Sequence, residues 1–389
     1  MGDERIPLFD IRLGDAEVAA VEEALRSGWL TMGPRTQAFE EEFAAHLGCA
    51  HVVATSSCTA ALHLAYLAAG VGPGDEVIVP AITFVASAAA VRYCGATPVL
   101  ADVAGTDDLG LDPEDAERRI TERTKAICAV HYGGYACAVE RLRELCEARG
   151  LALIEDAAHS PAAAAPSGEK LGTLGLAGTF SFFSNKVLSC GEGGALATGD
   201  EEVAALARSR RSHAMTSGTW DRHRGHSAGY DVVGLGYNYR LDEPRAALLS
   251  ARLRGLEADV ESRRRIVRRY RALLADVPGV VVPYTDEEVG RSSCYVMPVL
   301  VSEPELRDPL RERLSQGGIQ TSVLYPAVHE FSEYEGSSGG RLPRSQLVAR
   351  SQITLPLYPH LTEHDQDRVV EALRDGLAAL RPRSTAGAA

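Results

Sequence analysis

From Val18 to about Thr198, short apolar runs alternate with stretches whose apolar residues recur at helical spacing. The short runs predict strands over His51–Thr55, Glu76–Val79, Thr97–Ala101, Lys125–Val130, Ala152–Ile154, Thr179–Phe182 and Ala195–Thr198. Helices are expected between most of them. Asp112-Pro113 predicts a helix start, with an Asp N-cap and proline at the first helical position. Gly150 predicts the stop of a helix over Val139–Arg149. Such alternation predicts an α/β fold with a mainly parallel central sheet and helices on both faces. Ligands of such sheets bind beyond the carboxyl ends of the strands.

After about Asp242 the texture changes. A long helix is predicted over Glu243–Leu274, carrying Arg263, Arg264, Arg265, Arg268, Arg269 and Arg271. Tyr270 alone interleaves this basic run, without the repeated aromatics of a nucleic-acid surface, so it reads as a solvated helix face. Short strands then alternate with helices to about Leu380. The division expected is a large domain over 12–245 and a smaller C-terminal α/β domain over 246–380, with residues 1–11 as an arm. Residues 381–389 predict a disordered tail, and the stretch Glu333–Leu342 a mobile surface loop.

Composition narrows the function classes. A chain of 389 residues has room for one large and one smaller domain. A net charge of −13 disfavours duplex nucleic acid or an anionic membrane as the main partner, while leaving a small phosphorylated ligand open. Met1–Asp10 has no signal-peptide pattern, Ile6 fails the myristoylation pattern, and no apolar run approaches a membrane span. The eight cysteines are scattered without a C-x-x-C pair, which predicts reduced, mostly buried thiols and a cytoplasmic protein.

Three segments carry candidate chemistry. In the first, Lys186 lies between the Ser-rich turn Ser181–Asn185 and the Gly-rich turn Gly191–Gly194. A lysine in so shaped a backbone can form a Schiff base with an aldehyde cofactor, provided that it is partly deprotonated. In the second, Asp156 ends an apolar strand, followed by His159. A carboxylate there can keep a pyridine nitrogen protonated, so that the ring withdraws electrons. Taken alone, Asp156 could equally cap a following helix. His159 could stack on a cofactor ring or hydrogen-bond its phenolic oxygen. In the third, Thr55-Ser56-Ser57-Cys58-Thr59 runs from a strand into a helix, where free N–H groups and the helix dipole favour a phosphate.

Over about Ile6 to Leu380 the chain resembles the DegT/StrS-type nucleotide-sugar aminotransferases. The matching blocks are Gly28–Pro34, Gly72–Pro80, Thr83–Ser87, Glu155-Asp156, Lys186 with its turns, and Gly236-Tyr237-Asn238-Tyr239-Arg240. The resemblance implies a pyridoxal-phosphate (PLP) enzyme of fold type I, aspartate-aminotransferase-like, working as a homodimer with shared active sites. It implies Lys186 as the Schiff-base lysine and Asp156 as the partner of the pyridine nitrogen. His159 then lies near the cofactor ring and Phe84 stacks on it. Ser57, Cys58 and Thr59 form the phosphate turn, Ser181 gives a phosphate-binding hydroxyl, and Asn238 reaches a phosphate in the other subunit. Cys58 stands where that turn usually has Gly, and Leu324 where the segment Gly318–Thr321 is usually followed by His-Tyr. Tyr325, Pro326 and His329 do match.

The implied reaction is a ping-pong transfer. L-glutamate gives its amino group to the cofactor, which becomes pyridoxamine 5'-phosphate and then aminates a nucleotide-linked keto-sugar. Lys186 moves the protons. The Trp29–Pro34 block and the segment Arg211–His226 resemble those of enzymes that aminate C4 of a TDP-4-keto-6-deoxyhexose, with Thr31 and Met32 in the first block. Arg222, His223, Arg224 and His226 form a basic stretch expected to meet the substrate diphosphate, where guanidinium forks suit phosphate oxygens. Tyr325 and His329 are further substrate-binding candidates. No metal site is expected, because His223 and His226 lack further ligands nearby. C3-specific aminotransferases, cyclitol aminotransferases, an aminobenzoate-type synthase and a non-catalytic PLP-binding regulator are the alternatives. A Rossmann dehydrogenase would need G-x-G-x-x-G after the first strand, where Ser56-Ser57-Cys58 stands instead.

Overall fold

The apolar strand segments assemble into one seven-stranded sheet. A computed structural model describes residues 5–217, 229–337 and 340–381. The strands are β1 (His51–Thr55), β2 (Glu76–Pro80), β3 (Thr97–Ala101), β4 (Thr124–Val130), β5 (Ala152–Asp156), β6 (Ala177–Ser181) and β7 (Gly194–Thr198), in spatial order β1-β7-β6-β5-β4-β2-β3. The four pairings from β6 across to β3 are parallel. β7 runs antiparallel to both its neighbours, β1 and β6. Every other strand therefore points the same way, and six carboxyl ends share one edge. Strand β2 is buried along its whole length, as helix-covered parallel strands require.

Local signals operate where expected. The Asp112 carboxylate accepts the N–H of Glu114 at the start of the helix Pro113–Arg118. Gly150 ends the helix Val139–Arg149 at φ 65°, a left-handed conformation that glycine adopts without steric cost. Helix α1 (Asp15–Arg26) and helix α2 (Pro34–Leu47) precede the sheet, and helix α3 (Cys58–Ala68) leaves β1. The N-terminal segment joins the C-terminal part of the chain. Ile6 pairs with Ile319, and Leu357 donates its N–H to Leu8 O. There a second, three-stranded antiparallel sheet orders β8 (Val280–Val281), β9 (Met297–Val301) and β10 (Gln352–Leu355) as β10-β9-β8.

Three expectations for this half need correction. The predicted long helix is two, Glu243–Leu253 and Leu256–Leu274, separated at Arg254-Gly255. Its arginines are not simply a solvated face. Arg263 is buried and donates to the carbonyls of Tyr295 and Leu357. Arg264 donates to Ser292 O at 2.9 Å, and Arg269 pairs with Asp367 at 2.7 Å. Helical spacing turns these positions toward neighbouring segments, and the charge is met there by carbonyls and carboxylates. The stretch 333–342 is anchored rather than free on both sides of residues 338–339, which lie outside the described set. Tyr334 and Leu342 are buried, and Leu100 N–H donates to Ser337 O. Of the predicted tail only Arg381 is described, paired with Glu303 at 2.8 Å. None of the eight cysteines is in a disulfide, and all but Cys49 are buried. Among the described residues no helix is long and apolar enough to cross a membrane.

Candidate active site

The shared carboxyl edge of the sheet brings distant residues into one cavity of about 410 Å³. From the end of β1 and the start of α3 come Ser57, Cys58 and Thr59, from the loop after β2 Thr83 and Phe84, and from the end of β5 Asp156. His159 follows Asp156, and beyond β6 lie Ser181, Asn185 and Lys186. Tyr295, Leu324 and Tyr325 close the cavity from the C-terminal part of the chain. A larger open cleft, about 930 Å³, is lined by Arg5, Arg311 and Gln320 among others and holds none of the predicted site residues.

Asp156 is buried and caps no helix, because turns follow β5. Its Oδ2 accepts the Ser87 hydroxyl at 2.7 Å and its Oδ1 the Ala158 N–H at 3.2 Å. Burial raises its pKa, opposed by those two hydrogen bonds and by Lys186. Strand alternation turns the neighbouring Glu155 to the opposite face. There Glu155 accepts the N–H groups of Gly172, Leu174 and Gly175 and lies 3.0 Å from His131. The two acidic residues thus divide the work: one shapes a loop, the other faces the cavity.

Lys186 is half-buried, with Nζ 4.3 Å from the centre of the Tyr295 ring. Burial lowers its pKa to about 8, although Cys58 and Asp156 pull it upward. About a tenth is therefore a free amine at pH 7, against well under a thousandth at the ordinary value. His159 is buried, with Nδ1 3.1 Å from the Gly133 nitrogen and Nε2 3.1 Å from the Tyr325 hydroxyl. Its ring lies against Tyr295 at 4.4 Å between centroids. Burial, then the charge of Lys186, holds its pKa well below the usual imidazole range. Tyr325 is itself fixed by Gln352, whose Nε2 donates to its carbonyl at 2.6 Å.

At the third segment, Ser57 caps α3, its hydroxyl accepting the Ala60 N–H at 3.2 Å. Gly194 packs beneath this turn, where a Cβ would lie 2.4 Å from Cys58 N. Asn185 Oδ1, on the cavity wall, is buried without a hydrogen-bond partner among the described residues.

Other predicted residues lie elsewhere. Thr31 and Met32 sit in the turn before α2 and do not line the cavity. That turn and the start of α2 are pinned by the buried Glu243, whose carboxylate accepts the N–H groups of Gly33, Arg35 and Thr36. Asn238 is exposed, outside its own chain's cavity. His329 also lies outside it, both ring nitrogens buried and unpaired among the described residues. Arg222, His223, Arg224 and His226 fall outside the described residues. Conversely, sequence reasoning assigned no role to Ser87, Asn185 or Tyr295. Thr83 and Ser87, four apart and 2.8 Å between hydroxyls, offered a faint signal; Tyr295, 109 positions after Lys186, offered none.

An amine of lowered pKa, a buried carboxylate and a helix start thus line one cavity. The DegT/DnrJ/EryC1/StrS aminotransferase family matches residues 12–374. The chain belongs to this family. Its members are PLP-dependent enzymes of fold type I. The spore coat polysaccharide biosynthesis protein SpsC of Bacillus subtilis (strain 168) is 36% identical over 371 residues, 93% of this chain and 95% of that protein. The crystal structure of the aminotransferase TlmJ from Streptoalloteichus hindustanus matches with a TM-score of 0.89 and 37% identity, covering 97% of this chain and 100% of that one. DesV of S. venezuelae, solved in complex with a ketimine intermediate, matches at 0.86 and 36%, covering 97% and 99%. The cavity of this family member suits PLP on its own chemistry. Lys186 would hold the aldehyde, Asp156 the ring nitrogen and the N–H groups of the α3 start the phosphate, with the unpaired Asn185 oxygen left for a further donor.

Proposed function

We propose that this chain moves an amino group from L-glutamate to the keto carbon of a nucleotide-linked sugar. We further propose C4 of a TDP-4-keto-6-deoxyhexose as the acceptor. The observation that carries the reading is Lys186, an amine lowered to about 8 beside buried Asp156 in one cavity. PLP, when bound, withdraws electrons from the carbon bearing the amine, so that a proton can leave it. Lys186 takes that proton as a free amine and returns it as an ammonium, which its pKa allows in both directions. Asp156, kept in place by Ser87 and Ala158, would hold the ring nitrogen charged. Phe84, on the cavity wall, would cover one face of the ring. The α3 start, backed by Gly194, receives the phosphate.

The sugar half of the reading rests on the sequence blocks and on the polysaccharide role in the name of SpsC. Two walls of the site are proposed to come from a second copy. Asn238 faces outward, beside a strip of exposed apolar residues, Tyr230, Val232, Val233 and Leu235, that a homodimer would cover. Arg222, His223 and Arg224 are proposed to meet the diphosphate.

The test is the visible absorbance of the PLP-loaded protein before and after L-glutamate, with no sugar present. Bleaching of the cofactor band by glutamate supports the donor half; a band that glutamate leaves unchanged refutes it. NMR of the product from a TDP-4-keto-6-deoxyhexose then locates the new amine. An amine at C3, or no product, removes the C4 assignment.

A further inference from the structure

The hydrogen bonds around His159 have a fixed direction. A backbone N–H can only donate, so the Gly133 nitrogen, 3.1 Å from Nδ1, makes that ring nitrogen an acceptor without a proton. A neutral imidazole then carries its proton on Nε2, which faces the Tyr325 hydroxyl oxygen at 3.1 Å. Tyr325 Oη receives that proton as an acceptor. Its own hydrogen must point elsewhere, and both residues line the cavity. Among the described residues, no other partner of this hydroxyl is present.

We infer that Gly133, His159 and Tyr325 form a one-way relay that presents the Tyr325 hydroxyl as a hydrogen-bond donor to the carbonyl oxygen of the keto compound. Tyr325 makes and breaks no covalent bond in this role; it polarises the C=O that the amine attacks or that is released. His159 is a positioning residue, not an acid or base. Lys186, 4.3 Å from the Tyr295 ring on which His159 also stacks, remains the group that moves protons. The rigidity of the relay comes from both ends. Gly133 sits at φ 67° in a tight turn, where a Cβ would meet Val296 at 3.0 Å, and Gln352 clamps the Tyr325 carbonyl. The identity of the keto compound rests on the aminotransferase reading above; the direction of the relay does not.

Two measurements test it. The first is 15N NMR of histidine-labelled protein without substrate at pH 7, with His159 assigned from its missing signal in His159→Gln. An unprotonated Nδ1 with a protonated Nε2 is expected, and a protonated Nδ1 overturns the relay whatever the substrate proves to be. The second is a variant series. Glutamine can accept from Gly133 through its oxygen and donate to Tyr325 through its nitrogen, yet it cannot titrate. His159→Leu should lower kcat about 10²-fold, the scale of one lost preorganised donor. His159→Gln should recover all but about fivefold of that loss, and Tyr325→Phe should match His159→Leu with a correctly folded protein. If His159→Gln is as damaged as His159→Leu, or Tyr325→Phe keeps wild-type kcat, the relay is wrong. Wild-type protein inert with L-glutamate would instead sink the donor assignment and leave the NMR result standing.

Discussion

Replacing Lys186 with methionine should stabilise the cofactor-free protein at neutral pH. The lysine sits in a cavity whose burial lowers its pKa from the ordinary 10.5 to about 8. One pKa unit corresponds to about 1.4 kcal/mol, so keeping this proton in the folded state at pH 7 costs about 3 kcal/mol. The sign follows from proton counting. Below pH 8 both folded and unfolded chains carry the proton and the penalty is constant. Between about 8 and 10.5 the unfolded chain holds the extra proton, so the wild-type stability due to this group rises with pH. Above 10.5 neither state is charged and the penalty is gone. Methionine has a similar reach, no charge, and a sulfur that suits the Tyr295 ring. Unfolding entropy scales with length, which for 389 residues gives roughly 1 °C per kcal/mol. Differential scanning fluorimetry of both apo-proteins should therefore place the variant about 3 °C higher at pH 7, with the gap closing toward pH 10.5. A variant less stable than wild type at pH 7, or a gap independent of pH, would refute the claim that burial of this charge strains the fold.

Two further outcomes follow from buried geometry. Glu243→Gln should cost about 2–3 kcal/mol in urea unfolding with an unchanged m-value, because the amide nitrogen, turned to the side with one donor, leaves the Arg35 N–H unpaired; a loss below about 0.5 kcal/mol would show that the turn before α2 is held by something else. Gly194→Ala should weaken PLP binding about tenfold or more, since the added Cβ, 2.4 Å from Cys58 N, must push the α3 start aside; an unchanged dissociation constant in a cofactor titration would remove the phosphate from that turn.

Much of the site was legible along the chain because its parts are local. Lys186 stands between a Ser-rich and a Gly-rich turn, and Asp156 ends an apolar strand, so each announces itself within ten positions. The parallel sheet does the rest. Once β1, β5 and β6 point the same way, their carboxyl ends must lie side by side, and Ser57, Asp156 and Ser181 meet without any pairwise signal between them. The helix start at Asp112-Pro113 and the stop at Gly150 were equally readable, since backbone caps involve neighbours in sequence.

What the tertiary structure alone decided is set by contacts with no sequence period. Tyr295 reaches Lys186 from the segment just before β9, and Ser87 reaches Asp156 across 69 positions. Arg263 looks like one more charge on a polar helix until Tyr295 and Leu357 turn their carbonyls toward it. The tautomer of His159 depends on one backbone N–H, 26 positions away, in a turn that only the folded chain brings near. By itself the sequence determined which residues could do chemistry and which strands would aim them at a common edge, because hydrophobic period and turn chemistry act over a few residues. Charge state, hydrogen-bond direction and the closing wall were decided by the fold, because burial and long-range contact are properties of the assembled structure and of no single segment.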